Sequence, residues 1–161
     1  MKVREVMTKD TASCGLDASL ASAVETMQKF NCGFLPVIGE GGNVIGVITD
    51  RDICIALGQR DQKPSEVLVR DLVLPKDRTF PRLYVCTPDD NVRCLLKSMR
   101  AQKIRRLPVV DREGALQGIV SIDDLVLRAC EQAGPEGVSR KEVVETFKAI
   151  RRRVPDWPVA A

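Results

Sequence analysis

The sequence has no histidine, one tryptophan and one tyrosine, and aromatic residues make up only 4% of its 161 positions. Without histidine, the commonest general base, the commonest metal ligand and every Ser/His or Cys/His catalytic pair are excluded. No apolar run approaches the ~18 residues of a membrane-spanning helix, and the opening MKVREVMTKD has no apolar stretch of the kind a secretory signal carries. Six cysteines are present (Cys14, Cys32, Cys54, Cys86, Cys94 and Cys130), but no two form a C-x-x-C pair. Zinc sites need clustered ligands and disulfide frameworks belong to short secreted chains, so neither is expected. The cysteines read as small, reduced, mostly buried hydrophobes of a cytoplasmic protein. Redox sensing by Cys14 or Cys86 is the alternative, and nothing near them in sequence would lower a thiol pKa. A net charge of +3 is too mild to indicate nucleic acid by composition.

With 44% hydrophobic and 29% charged residues, the chain is globular rather than disordered, and its length suits one ordinary domain or two small cooperating ones. Its strongest feature is self-similarity. Leu35-Pro36-Val37-Ile38 recurs 72 residues on as Leu107-Pro108-Val109-Val110, and Gly46-Val47-Ile48-Thr49 recurs at the same offset as Gly118-Ile119-Val120-Ser121. That offset also pairs Cys14 with Cys86, Asp17 with Asp89, Met27 with Met99, Gly42 with Gly114 and Asp52 with Asp124. Upstream, Val3-Arg4-Glu5-Val6 matches Val69-Arg70-Asp71-Leu72 at an offset of 66, so the second copy has extra residues, placed in the loop PKDRTFP. The repeats are assigned to residues 1–66 and 67–134, with a tail from 135 to 161.

Each copy predicts the same elements. A short strand comes first, Thr11–Cys14 or Tyr84–Cys86. A helix follows, capped by Ser19 or Asn91, with apolar positions Leu20, Ala23, Val24 and Met27 matched by Val92, Leu95, Leu96 and Met99. Two strands joined by a tight glycine-containing turn come next, with Pro36 and Pro108 at strand ends. A second helix opens at Asp50 or Ile122 and is apolar almost all round, so cover on more than one side is expected. Units of about 60 residues are marginal alone, which points to packing of the copies and to a homodimer. In the tail, Ser139-x-x-Glu142 is a capping box that opens a helix through Val143, Val144, Phe147 and Ile150, after the breaker GPEG. It ends in Arg151-Arg152-Arg153 before VPDWP. That cationic end complements the helix dipole, or it touches nucleic acid; with no second basic cluster, nucleic acid is not the expected partner.

The order strand, helix, Leu-Pro-Val hairpin, Gly-x-x-Thr/Ser-x-x-Asp, helix, present twice, resembles a tandem pair of cystathionine-β-synthase (CBS) domains, a Bateman module. VREVMT, FLPVI with GVITDRD, and IRRLPVVD with GIVSIDD carry the resemblance over residues 1–131. It implies an α+β (mixed α/β) fold of two β-α-β-β-α repeats packed as an intramolecular pair, with the C-terminal helix outside it. It also implies a regulatory rather than catalytic module, binding AMP, ADP, ATP or S-adenosylmethionine in clefts between the repeats, without a further cofactor. Such modules form disk-like dimers, and this one looks like a stand-alone module that regulates a partner protein in trans.

Thr49 and Ser121 each end a strand and open a helix, where a hydroxyl joins free backbone N–H groups in a site suited to phosphate. Asp52 and Asp124 lie three residues on, where a carboxylate can accept from both hydroxyls of a ribose. The same spacing is also a capping box serving only the helix; the resemblance favours the ligand reading, since the matching family positions bind phosphate and ribose. Arg105 and Arg106 precede the second LPVV where the family often places phosphate-reaching bases, and they are otherwise a solvated pair. Gly33 and Phe34 hold those positions in the first copy, leaving Arg51 to supply charge there, so the two clefts are expected to differ. By position, the resemblance maps the adenine pocket to Thr11, Ala12 and Ser13 in one copy and to Tyr84, Val85 and Cys86 in the other.

Overall fold

The computed structural model describes residues 1–74, 83–130 and 137–152. The expected loop PKDRTFP, most of GPEG, Arg153 and VPDWP lie outside the described residues.

Two compact units form. The repeat-1 unit holds the described residues of Lys9–Val85 and the hairpin tip Val110–Gly118; the repeat-2 unit holds Met1–Thr8, Cys86–Val109 and the described residues of Ile119–Ala161. In space, each unit therefore takes its leading segment from the other repeat. The hydrogen bonds show this as a matched set. Val3 and Arg4 donate to the carbonyls of Asp90 and Pro88, and Val92 donates to that of Met1; Val69 and Arg70 donate to Ala18 and Leu16, and Leu20 to Val67. Arg4 pairs with Asp89 as Arg70 pairs with Asp17.

In the repeat-1 unit, β1 (Cys14–Gly15) runs parallel to β2 (Phe34–Ile38), which pairs antiparallel with β3 (Val44–Thr49). Helices α1 (Leu20–Lys29), α2 (Asp50–Gly58) and α3 (Arg70–Val73) complete the unit. Leu20, Met27, Leu35, Val37, Ile48, Ile53 and Val69 lie in its buried core. Val73 on α3 packs onto β3 at Gly46, where a Cβ would collide with its Cγ1, so only glycine lets these backbones approach.

Both prolines sit inside their strands rather than at the ends, Pro36 being the third of five residues in β2. This explains why the leading strand is shorter than expected. Pro108 accepts from the Cys86 N–H at 3.1 Å, so its ring nitrogen faces the same edge as that carbonyl. Proline has no hydrogen to donate. The ladder therefore begins only at Cys14 in one copy and shrinks to the single Cys86–Val109 bridge in the other.

In the repeat-2 unit, a 3-10 turn at Val3–Glu5 leads to Thr8, which exchanges backbone hydrogen bonds with Ile119. Helix α4 (Val92–Gln102), the hairpin of β4 (Arg106–Val110) and β5 (Leu116–Ser121) apart from its tip at 110–118, and α5 (Ile122–Arg128) follow. The tail forms α6 (Arg140–Arg151), which packs on α4 and α5. Its capping box closes as the sequence predicts, with Ser139 donating through N–H and hydroxyl to Glu142 at 2.9 Å each. Arg100 holds α6 by donating to Thr146 Oγ1 at 2.6 Å and to the Glu142 carbonyl at 2.8 Å, while Arg93 lies 3.4 Å from the Glu142 carboxylate. Those Ser139 hydrogen bonds, with help from the two arginines, hold the Glu142 carboxyl below its ordinary pKa.

Three expectations about burial change. Leu96 is 3% exposed on α4, against which α6 packs, but its counterpart Val24 is 43% exposed, because no element among the described residues of the repeat-1 unit does the work of α6. Among the described residues the second helices are not covered all round, leaving Ile55, Val126 and Leu127 open. Cysteines are not mostly buried: Cys86 is, Cys14 and Cys32 are half-buried, and Cys54, Cys94 and Cys130 are exposed. Cys94 shows why, falling between Val92 and Leu95 and thus off the buried stripe of α4.

Candidate functional site

The two Thr/Ser-x-x-Asp boxes fold alike. At the β3–α2 junction, Asp52 Oδ2 accepts from the Thr49 N–H at 3.0 Å and from its hydroxyl at 2.6 Å, while the Asp52 N–H donates to Thr49 Oγ1 at 3.2 Å. At the β5–α5 junction the corresponding distances for Ser121 and Asp124 are 2.7, 2.6 and 3.2 Å. Both capping boxes are therefore made, and each uses only one carboxylate oxygen. The other oxygens differ. Among the described residues no donor meets Asp52 Oδ1, whereas the Thr8 hydroxyl lies 3.4 Å from Asp124 Oδ1. Asp52 is exposed and Asp124 half-buried.

Thr8 was not singled out by the sequence, although a signal was there. At the 66-residue offset, VREVMT matches VRDLVL, so Leu74 stands where Thr8 stands. A polar side chain in one copy and an apolar one in the other mark a position where the boxes diverge.

The Arg105 carbonyl accepts from the Ile122 N–H at 2.9 Å, which ties that residue to the first turn of α5, and its side chain is exposed. Gly33 makes the matching link to Asp50 at 3.3 Å without any charge. Arg106 is half-buried and turns toward Asp123, 3.9 Å away. Arg51 is exposed on the first turn of α2, where its N–H donates to the Asp50 carboxylate. Thr11, Ala12 and Ser13 are half-buried ahead of β1, in the same unit as Thr49 and Asp52. The other adenine positions divide, with Tyr84 and Val85 in the repeat-1 unit and Cys86 in the repeat-2 unit.

Burial pushes the Cys14 thiol up to about 11 and the Cys86 thiol to about 12, the latter helped by nearby Asp90. Such thiols stay protonated at neutral pH, which argues against their serving as redox sensors. Among the described residues no cluster of three acidic, Cys or His side chains is arranged for a metal ion, and no helix is long and apolar enough to cross a membrane.

A family model, the CBS domain, matches residues 3–59 and 69–130. Inosine-5'-monophosphate dehydrogenase of Methanocaldococcus jannaschii is 29% identical over 127 residues, 79% of this chain but only 23% of the dehydrogenase. This chain thus spans about a quarter of the length of that curated relative. A CBS domain protein of Thermoplasma acidophilum, TA0289, has the same fold with a TM-score of 0.72 at 24% identity, over 94% of this chain and 76% of its own. The CBS domain pair of protein MJ0100, solved in complex with 5'-methylthioadenosine and S-adenosyl-L-methionine, is 25% identical with a TM-score of 0.64, over 79% of this chain and 94% of that one. With two matched copies in tandem and the mixed α+β architecture to go with them, the chain belongs to the CBS domain family.

Proposed function

We propose that the chain is a regulatory, non-catalytic module that senses adenosine-containing ligands and passes their binding to a partner protein through a change of shape. One observation carries this reading: a Thr/Ser-x-x-Asp box occurs in both copies with one carboxylate oxygen engaged by its own helix and the other turned elsewhere. In this reading Asp52 and Asp124 accept from ribose hydroxyls, Thr49 and Ser121 line the phosphate side, and Arg51, Arg105 and Arg106 supply charge. Thr11, Ala12 and Ser13, and Tyr84, Val85 and Cys86, contribute to holding adenine. The complex of MJ0100 with adenosyl ligands supports the ligand class.

The two boxes take different ligands. The arginine pair beside Ser121 and Asp124 suits AMP, ADP or ATP. Beside Thr49 and Asp52, the positions of that pair are held by Gly33 and by buried Phe34, which suits an adenosyl ligand without phosphates, such as S-adenosylmethionine. The module acts as a homodimer, covering apolar helix surface that one copy leaves open. The mechanism is a population shift, in which a ligand with higher affinity for one conformation draws the module into it. Mass spectrometry of small molecules released on denaturing the purified protein, followed by calorimetry with AMP, ADP, ATP and S-adenosylmethionine, tests the proposal. An adenosyl compound is the expected result, and no binding of any of the four to ligand-free protein overturns it.

A further inference from the structure

Among the described residues, the exposed large apolar side chains are Val85 and two helix-borne groups. Val24, Phe30 and Ile55 belong to α1, its C-cap and α2, and Val126, Leu127, Val144 and Phe147 to α5 and α6. The first group borders an open groove of about 590 Å³ between α1 and α2, whose lining includes Val24, Met27, Ile53 and Cys54. Shifted by 72 residues, the Val24, Met27 and Gln28 part of this lining becomes Leu96, Met99 and Arg100, on the helix α4 that α6 packs against, while the counterparts of Cys54 and Ile55 stay exposed. The fold thus shows, on its own second copy, that this surface accepts a helix.

The inner face of α6 does not suit the repeat-1 groove. In the repeat-2 unit it is held by Arg93 and Arg100, and Lys103 reaches the Arg152 carbonyl at 3.4 Å. Ala21, Gln28 and Asn31 stand at those three positions in the first copy, so Glu142 would meet no cation there. Instead the groove carries one charged lining residue, Asp50, at the position of apolar Ile122. Its occupant must bring an apolar ridge with positive charge close beside it. The outer face of α6 carries one, although Glu145 also stands exposed beside Val144. Val144, Phe147, Lys148 and Arg151 follow at i, i+3, i+4 and i+7, all exposed, with the Arg151 guanidinium 5.5 Å from the Phe147 ring centre.

We propose that the outer face of α6 in one copy seats in the α1–α2 groove of a second copy of this chain. Two different surfaces meet, so a two-fold dimer makes the contact twice, once from each copy. It rests on the reading of the module as self-associating and names the surfaces that reading leaves open.

Sedimentation velocity over a micromolar concentration series tests it, using Val24→Lys for the groove and Phe147→Lys for the helix face. Both introduce the same charge, so no engineered ion pair can form between them. Wild type self-associates, and each variant weakens association by about tenfold or more. An equimolar mixture recovers a one-to-one species, because one variant keeps an intact helix face and the other an intact groove. Cys54→Lys with Val144→Lys repeats the design at neighbouring exposed positions, and circular dichroism melts identify any variant that fails to fold. If only one of the two variants dissociates, like surfaces meet, and this contact is refuted while self-association stands. A mixture that stays monomeric also refutes the contact. A monomeric wild type removes both readings, while ligand binding is judged separately by calorimetry.

Discussion

Replacing Asp52 by asparagine separates the two tasks assigned to its carboxylate. Oδ2 accepts from the Thr49 N–H and hydroxyl at 3.0 and 2.6 Å, and an amide oxygen can accept both, so the helix cap survives. Asp52→Ala removes the cap, at a cost of about 0.5–2 kcal/mol, toward the lower end for this exposed site. At about 2–4 °C per kcal/mol for a chain of this size, the alanine variant melts a few degrees lower and the asparagine variant close to wild type. The ligand tells them apart in the other direction. Hydrogen bonds to a charged acceptor contribute about 1.5–3 kcal/mol each, and with the amide oxygen on the cap its NH2 group, which cannot accept, faces the ligand, so each diol bond lost costs about 1.5–3 kcal/mol in either variant. That is about 10- to 150-fold in affinity, read by titration calorimetry. Ligand at a hundred times its dissociation constant stabilises wild type by about 2.7 kcal/mol, a melting shift lost in both variants at the same concentration. The reasoning is refuted if Asp52→Asn binds AMP, ATP and S-adenosylmethionine as wild type does while Asp52→Ala is merely less stable; the box would then serve only its helix. Asp124→Asn is the companion, and because only its unit carries Arg105 and Arg106, it weakens AMP and ATP while Asp52→Asn weakens S-adenosylmethionine.

Gly46→Ala drives a Cβ into Val73 and lowers stability by about 1–3 kcal/mol in urea unfolding, whereas Gly58→Ala, facing open space at the end of α2, is neutral or stabilising by up to about 1 kcal/mol. Arg100→Ala releases two hydrogen bonds to α6, and hydrogen exchange should show α6 amides exchanging about tenfold faster or more; Gln28→Ala, its counterpart, leaves exchange unchanged. Cys54, Cys94 and Cys130 react first with a thiol reagent at pH 8, and Cys14 and Cys86 only on unfolding. The last two also set a pH trend. Above about pH 9 the unfolded thiols lose protons that the folded ones keep until about 11 and 12, so the unfolded state binds fewer protons. Stability therefore falls as pH rises from 9 to 11, by up to about 1.4 kcal/mol per pH unit for each thiol, and a flat series of urea midpoints over that range would contradict the assigned burial.

Much of the fold could be read from the chain because its signals are local. Ser19, Asn91 and Ser139 cap the helices they were expected to cap, since a side chain and a backbone two or three residues on need no tertiary context. The repeat offset likewise placed both Asp boxes. What could not be read depends on partners distant in sequence. Val24 and Leu96 occupy the same helical position and look alike as letters, yet one is open and the other buried because a helix some fifty residues downstream lies over only one of them. The shortened leading strand was within reach, as the missing N–H of Pro36 and Pro108 was visible, but its effect falls on the neighbouring strand, which periodicity does not consult. Thr8 was hidden for a related reason: its partner Asp124 lies 116 residues away.

The exchange of leading segments has a consequence for the protein as it is being made. Residues 1–8 leave the ribosome well before their partners, which are the carbonyls of Pro88 and Asp90, the Val92 N–H and Ile119. The Lys2–Asp89 contact alone spans 87 positions. At about 5–20 residues per second of synthesis, Val3 and Val6 wait roughly 5–20 s with their apolar side chains uncovered. The repeat-1 unit waits as well, since its hairpin tip at 110–118 is made late. Neither half can close as soon as its own repeat has emerged, so folding is held back until most of the chain exists. By the same logic, a change confined to the first eight residues is felt structurally in the last half of the chain.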